Sequence, residues 1–432
     1  MKKNLITLVL SMAALCLSAQ QSALEEIRSN RFLCASNYLD YDNYPATEAL
    51  TPTPNGYEMF YLSHYGRHGS RWLLGDGDYT SVLNPLREAN DNGKLTATGK
   101  ELLDKLEKFY PGTKGRLGDL TRVGERQHHG IGRRMTEHFP ELFSTKNLPI
   151  DARSTVVIRC ILSMTAECEE LTAFNPTAIV HNDVSESLQY YLNEPWRGKV
   201  RENGGKGWDI VNDYKEKLTH PERLIGVLFN DSDWASEHVK QKSFMRRLFD
   251  VATNMQSHDE YEEILDLFTD EECYDLWKIR NIDWYMHYGA APMTESLMPF
   301  SQRNLLKNII STADTVSTKQ ATLRFGHEVC VMPLACLLEL GTCGAVVENL
   351  DTLDHVWRNY NIFPMACNVQ LAFYRPLDGN DGDILVKALL NEREMTMPIK
   401  TDKYPYYKWE DLRQYYLDKI ARYEELNKEE KQ

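Results

Sequence analysis

Residues 59–71 read Met-Phe-Tyr-Leu-Ser-His-Tyr-Gly-Arg-His-Gly-Ser-Arg, an apolar run that ends in one histidine between two arginines. The run Met59–Leu62 suits a buried strand, and Met59–Ser63 is the expected first strand. The basic loop then lies beyond the strand's C-terminal end, which is where open α/β sheets bind their ligands. Arginine offers a planar fork of donors that matches a phosphate group and keeps its charge at any working pH. A neutral imidazole between Arg67 and Arg71 is a nucleophile placed beside a dianion site, with His68 able to carry a phosphoryl group covalently. The competing reading of such a segment is a solvated basic turn.

Three further segments strengthen the anion reading. Leu120-Thr121-x-x-Gly124-Glu125-Arg126-Gln127-His128 opens a helix, with Thr121 as cap and the helix running through Met135. Ser154-Thr155-Val156-Val157-Ile158-Arg159 follows a short strand candidate, Leu148–Ala152, so that Ser154 or Thr155 is expected to cap a helix carrying Arg159 near its start. A helix N-terminus favours an anion through its free N–H groups. Phe325-Gly326-His327-Glu328 closes another strand candidate, Ala321–Phe325, and sets an imidazole next to a carboxylate.

These segments resemble, in order, the RHGxR, LTxxGxxQH, STxxxR and GHDxxxxPL motifs of the histidine phosphatases, in the acid phosphatase and phytase branch. The resemblance runs from residue 58 to about 340. A fifth pair, Asn368-Val369-Gln370-Leu371 and Leu389-Leu390-Asn391-Glu392, is similar to the C-terminal part of multiple inositol polyphosphate phosphatases. The resemblance implies a phosphomonoesterase with His68 as nucleophile, Arg67, Arg71 and Arg159 neutralising the phosphoryl oxygens, His327 as a further donor and Glu328 as proton donor to the leaving group. It implies no metal or other cofactor, and a small phosphorylated molecule as substrate. Inositol polyphosphates rank first, broad acid phosphatase activity on sugar phosphates or nucleotides second, and a non-catalytic phosphate-binding protein third. The chain departs from its relatives at the acid: general acid phosphatases carry His-Asp there and inositol polyphosphate phosphatases His-Ala-Glu, whereas this chain has His327-Glu328-Val329.

The remaining ionisable residues carry weaker readings. His64 either lines the pocket or is a structural loop histidine, and His128 and His129 are read as structural. Lys199, Arg201, Lys206, Lys240, Lys242, Arg246 and Arg247 form either a solvated face or contacts to additional phosphates.

The expected fold is α/β: a mixed, mostly parallel sheet flanked by helices, with an inserted mainly helical cap. A chain of 432 residues suits a core plus a cap. Residues 21–184 and 307–432 are assigned to the core and 185–306 to the cap, where helical periods such as Phe244–Phe249 and Tyr261–Phe268 dominate. Residues 21–57 read as an irregular lead-in, Thr98–Phe109 and Trp409–Leu426 as helices, and Ala178–Val180, Val369–Tyr374 and Ile384–Leu390 as strands. Residues 1–20 read as a secretory leader, with Lys2 and Lys3 before an apolar stretch, Leu5–Leu17, too short to span a bilayer. Lipidation at Cys16 is disfavoured by the large Leu15 before it. An exported, membrane-span-free protein of open oligomeric state follows as the expectation.

The net charge of -14 argues against nucleic acid as partner, so an anionic substrate needs a local basic pocket. Nine cysteines, eight without Cys16, permit disulfides in an exported chain, with a local bridge among Cys330, Cys336 and Cys343 the nearest candidate. None of the nine is followed six residues on by arginine, which excludes a cysteine-based phosphatase; HExxH and Walker motifs are also missing.

Overall fold

The computed structural model describes residues 22–43, 49–193, 198–261, 263–377 and 382–427. Eight strands form one sheet: β1 (Tyr57–Arg67), β2 (Pro149–Ser154), β3 (Ile179–Val184), β4 (Gln320–Gly326), β5 (Asn368–Pro376), β6 (Leu385–Leu390), β7 (Arg393–Met395) and β8 (Tyr407–Lys408). Their order is β3-β2-β4-β1-β5-β6-β7, with β8 on β6. Strands β2, β4 and β1, which lead to the motifs, and β3 beside them run parallel, and β5 to β8 continue the sheet antiparallel. Strand β1 extends four residues past the expected Ser63, because both faces of the sheet are covered and His64 to Arg67 are buried with it.

The longer helices are α1 (Ala23–Ser29), α2 (Asp76–Asp91), α3 (Ala97–Phe109), α4 (Arg122–His138), α5 (Ile158–Phe174) and α6 (Gly198–Leu218). They are followed by α7 (Gln241–Asn254), α8 (Asp270–Tyr288), α9 (Arg303–Thr315), α10 (Glu328–Leu337) and α11 (Trp409–Leu426). Alternation along the strands splits the core in two. Leu62, Ile150, Ala152, Leu323 and Phe325 face Ile131 and Met135 of α4 and Met164 and Leu171 of α5. On the opposite face Tyr65, Val369, Leu371 and Val386 pack against α9, α10 and α11.

The helical layer is wider than the segment 185–306. Its apolar cluster joins Leu224, Leu248, Phe249 and Trp277 to Ile27 and Leu33 of the lead-in and to Leu83 and Leu102 of α2 and α3. The inserted helices do not bury their apolar faces alone; the N-terminal segment and the helices after the first loop complete their core. The lead-in is accordingly helical at its start, where α1 is opened by a capping box between Ser22 and Glu25. In the segment 261–268, expected helical, the described residues are instead irregular except for one 3₁₀ turn at Leu265–Leu267. All eight described cysteines are free and buried, so Cys330, Cys336 and Cys343 form no bridge. No helix among the described residues is long and apolar enough to cross a membrane, and the leader expected over residues 1–20 lies outside the described residues.

Two glycines let the first loop sit on α4. A Cβ on Gly69 would stand 2.3 Å from the Gly124 carbonyl, and one on Gly124 would stand 2.3 Å from the Ser70 carbonyl. Both obstacles are backbone, so no side-chain rotation relieves them. Gly124→Ala is therefore expected to cost about 1–3 kcal/mol of stability through overpacking and to displace the loop; a urea midpoint and turnover both equal to wild type would contradict this contact.

Candidate functional site

The site forms where β2, β4 and β1 end side by side. Arg67 pairs with Gly326 in the parallel register, so residues 67–71 and 327–328 leave the sheet next to each other. The His68 N–H donates to the Gly326 carbonyl at 3.0 Å, and the Arg67 N–H to the Cys367 carbonyl at 2.8 Å. Farther along the loop, the Gly69 N–H donates to Ser163 Oγ and the Ser70 N–H to Gln127 Oε1. Thr121 accepts from the Gly124 N–H as expected of a helix cap, and its own backbone and hydroxyl donate to the Ser70 carbonyl.

His68 Nδ1 lies 2.8 Å from the Gly69 carbonyl and so carries the hydrogen. That leaves Nε2 as a bare lone pair, buried and without a hydrogen-bond partner. Burial, reinforced by the charges of Arg67, Arg159 and Arg71, holds the imidazole well below its usual range and so keeps it neutral. The geometry therefore presents an unprotonated nitrogen inside a positive field.

The three arginines are fixed in different ways. The Arg67 side chain is wholly buried; its Nη1 donates to the carbonyls of Asn37, Phe363 and Pro364, and its Nη2 lies 3.1 Å from Glu328 Oε1. Arg71 donates to the Trp72 carbonyl and lies over the Tyr38 ring at 5.7 Å. Asn254 Nδ2 holds the Arg71 carbonyl. Arg159 sits in the first turn of α5 and donates to the Gly118 carbonyl at 3.4 Å. The Nε atoms of all three are buried without a hydrogen-bond acceptor, which is the signature of a site made for an anion. Neither Ser154 nor Thr155 caps α5: its N-cap is Val157, and the Ser154 hydroxyl donates to the Thr155 carbonyl.

His327 is the N-cap residue of α10 and Glu328 its first residue. The His327 ring meets the His68 ring edge-on at 5.6 Å between centroids, with Thr155 Oγ1 3.4 Å from its Nε2. Burial pushes His327 down to about 4, so its ring is neutral through the mildly acid range. Glu328 Oε2 stands 3.6 Å from His68 Nε2. Burial alone would raise the Glu328 carboxyl, but Arg67 and Arg71 reverse that and hold it at about 2. His68, His327 and Glu328 also form the one grouping among the described residues whose ligand atoms could converge on a metal ion. The facing guanidinia of Arg67, Arg71 and Arg159 make an anion the better electrostatic match for that space.

His64 does not reach the site. Its ring has no solvent exposure and lies behind the loop, against Phe325 and Glu167. His129 pairs with Glu170. Of the cap cations, Lys206 engages Glu295 and Lys242 engages Glu216, while Arg246 and Arg247 line a cavity of about 490 Å³ together with Lys215, Arg280 and Tyr38. The Lys199 side chain lies outside the described residues. Asn37, Phe363, Pro364 and Gly118 act through backbone carbonyls, for which a sequence has no residue-type signal. Tyr38, which lies beneath both Arg71 and Arg280, joins the site to that cavity.

Comparison with known proteins agrees with this geometry. Residues 67–391 match the histidine phosphatase superfamily (branch 2). Among solved structures, the multiple inositol polyphosphate phosphatase of Bifidobacterium longum in complex with phosphate superposes with a TM-score of 0.72 at 17% identity, covering 89% of this chain and 98% of that one. Its complex with inositol hexasulfate gives 0.70 at 17%, covering 89% and 97%. The phytase from D. castellii gives 0.69 at 16% identity, covering 94% and 88%. No curated protein matches the chain by sequence. With three quarters of its length matched by the family, and with the family's fold, this chain belongs to branch 2 of the histidine phosphatase superfamily.

Proposed function

We propose that this phosphoric monoester hydrolase is exported, works through a phosphohistidine on His68, and acts on inositol polyphosphates such as phytate. The observation that carries the reaction is the bare Nε2 of His68 held among three arginines and 3.6 Å from a carboxylate. Nε2 attacks phosphorus as the ester P–O bond breaks. The developing negative charge on the phosphoryl oxygens falls among Arg67, Arg71 and Arg159, which are already in place, so little reorganisation is required. His327 donates its single N–H to the same oxygens. Glu328 gives a proton to the leaving alkoxide, then takes one from the water that cleaves the P–N bond.

The low position of Glu328 sets a condition on this role. In the free site the carboxyl is ionised, held so by Arg67 and Arg71. A bound phosphate adds negative charge between those guanidinia and the carboxylate, which cancels their pull and raises the carboxyl toward a donor. The substrate thus prepares its own acid.

The inositol polyphosphate reading is supported by the cavity past Tyr38. Lys215, Arg246, Arg247 and Arg280 against Asp250 and Asp283 leave it net positive inside an acidic protein, which suits a substrate with several phosphates. The B. longum neighbour is itself a multiple inositol polyphosphate phosphatase crystallised with inositol hexasulfate. A second reading, a broader acid phosphatase that accepts nucleotides, has an observation of its own. Trp72, next to Arg71, meets the His258 ring at a tilt with centroids 4.1 Å apart and forms with Phe109 and Tyr261 an aromatic cleft of about 590 Å³, suited to a flat leaving group.

Release of inorganic phosphate from phytate and from p-nitrophenyl phosphate, measured with EDTA present, separates these readings. Phytate hydrolysis that His68→Ala abolishes is the expected result. Hydrolysis of the small ester alone would favour the broader enzyme, and release from neither by folded protein would leave a binding protein. A second prediction concerns pH. Protonation destroys the nucleophile, and the folded site pushes His68 well down and His327 to about 4. The acid-side loss of kcat/KM should therefore fall well below the ~6.5 of an ordinary imidazole. A limb near pH 6.5 would show that the site does not hold His68 neutral.

A further inference from the structure

Behind the phosphate-binding loop lies a group of ionisable side chains that the phosphoryl chemistry does not touch. His64, His128 and Glu167 meet there with side chains 0–1% exposed. His128 Nδ1 is 3.0 Å from Glu167 Oε2, and His128 Nε2 is 3.1 Å from the main-chain carbonyl of Arg67. His64 Nε2 lies 3.7 Å from the other Glu167 oxygen, and neither of its ring nitrogens has a hydrogen-bond partner. The Phe325 ring closes the group on the β4 side. The remaining charge that faces it is Arg324, also on β4. Burial and the charges of His128 and Arg324 push His64 down against the pull of Glu167, so His64 is neutral.

The hydrogen bonds fix where the protons are. A carbonyl only accepts, so His128 Nε2 carries a hydrogen. The contact between Nδ1 and the carboxylate holds one more proton. Whether that proton sits on nitrogen or on oxygen, the pair is net neutral and presents Nε2–H to Arg67. Glu167 thereby selects the ring form of His128, the same job that a carboxylate does behind the histidine of a catalytic triad.

The acceptor matters because of what it belongs to. The Arg67 carbonyl is one end of the peptide unit whose other end is the His68 N–H, and that N–H is bonded to Gly326. The plane between the nucleophile and the central arginine is thus pinned from both sides, by His128 on one and by the β4 end on the other.

We infer that His128, held in its Nε2–H form by Glu167, is a positioning residue that fixes the Arg67–His68 peptide plane for phosphoryl transfer. This rests on the phosphatase reading above. Without the donor the carbonyl is buried and unpaired, and the plane tilts to seek another partner. A displacement of about 1 Å at reacting atoms costs roughly 10²-fold in rate.

The test uses the full chain with His128→Phe, which keeps a ring and removes the donor, and His128→Gln, whose amide can still donate. kcat and KM for p-nitrophenyl phosphate, affinity for inorganic phosphate, and Tm are read for each. The inference expects His128→Phe to lose roughly 10²-fold in kcat with a much smaller change in KM, and His128→Gln to recover most of it. A folded His128→Phe with wild-type kcat overturns it, as do equal losses in both variants at matched Tm, since a merely structural role would move Tm without this split. If His128→Phe does not fold, Glu167→Gln and Glu167→Met decide: the amide can still hold Nδ1 and should keep kcat, the thioether cannot and should lose it, and equal rates overturn the inference. If wild type itself releases no phosphate, the phosphatase reading fails on its own. Inorganic phosphate affinity then decides, with unchanged affinity in His128→Phe overturning the positioning role.

Discussion

A guanidinium with no surface in water needs its charge answered by the protein, and distant parts of the chain do this for Arg67. Asn37 from the lead-in and Phe363 and Pro364 from the segment before β5 supply carbonyls, and Glu328 from the end of β4 supplies the counter-charge. Burying a charge without such partners costs several kcal/mol, so these segments can reach their places only together. That requirement explains why the first part of the lead-in, with Ile27 and Leu33, packs into the helical layer, and why the antiparallel half of the sheet is tied to the parallel half at the site. A phosphate would find Arg67 already solvated by protein and its Nε still free of any acceptor.

The same arrangement sets the division of labour between the ionisable groups. The positive field that welcomes an anion also keeps His68 unprotonated and Glu328 ionised. In the proposed reaction the first effect serves His68 as nucleophile, and the second opposes proton donation by Glu328 until an anion arrives, so that binding and proton delivery are linked by electrostatics. Glu328 stands at the first residue of α10, in contact with Arg67, which makes that linkage tight.

Much of the fold and site was legible in the sequence, and particular residues show where legibility stopped. The strand–loop run at 59–71 and the strand end at 321–328 brought His68 and Glu328 to one place, because an apolar run followed by chemistry-bearing residues reads the same in sequence and in space. Arg159 was placed correctly on an early helical turn, yet its cap was not: Ser154 turns its hydroxyl to the Thr155 carbonyl, a local competition that residue type alone does not reveal. The capping box at Ser22 and Glu25 was present in the sequence and marks a helix where an irregular segment was expected. The described residues of 261–268 show the reverse, apolar spacing without an α-helix, since Ile264, Leu265 and Phe268 reach the helical core from a single 3₁₀ turn and its flanks. His64 pointed to the pocket by proximity in sequence, but it lies four residues back within β1, where its side chain packs against Phe325 and Glu167 behind the loop. The carbonyls around Arg67 left no trace at all, because every residue type has one.

The central claim is a covalent phosphohistidine on His68, and the direct measurement is to trap it. Glu328→Gln should slow the second step, which needs a base for water, while p-nitrophenol leaves without an acid. Brief exposure of this variant to a phosphorus-labelled aryl phosphate, followed by alkaline quenching, should leave label that is alkali-stable, acid-labile and located on the peptide carrying His68. Turnover of the aryl ester with no label on His68 under any quench time would contradict the account.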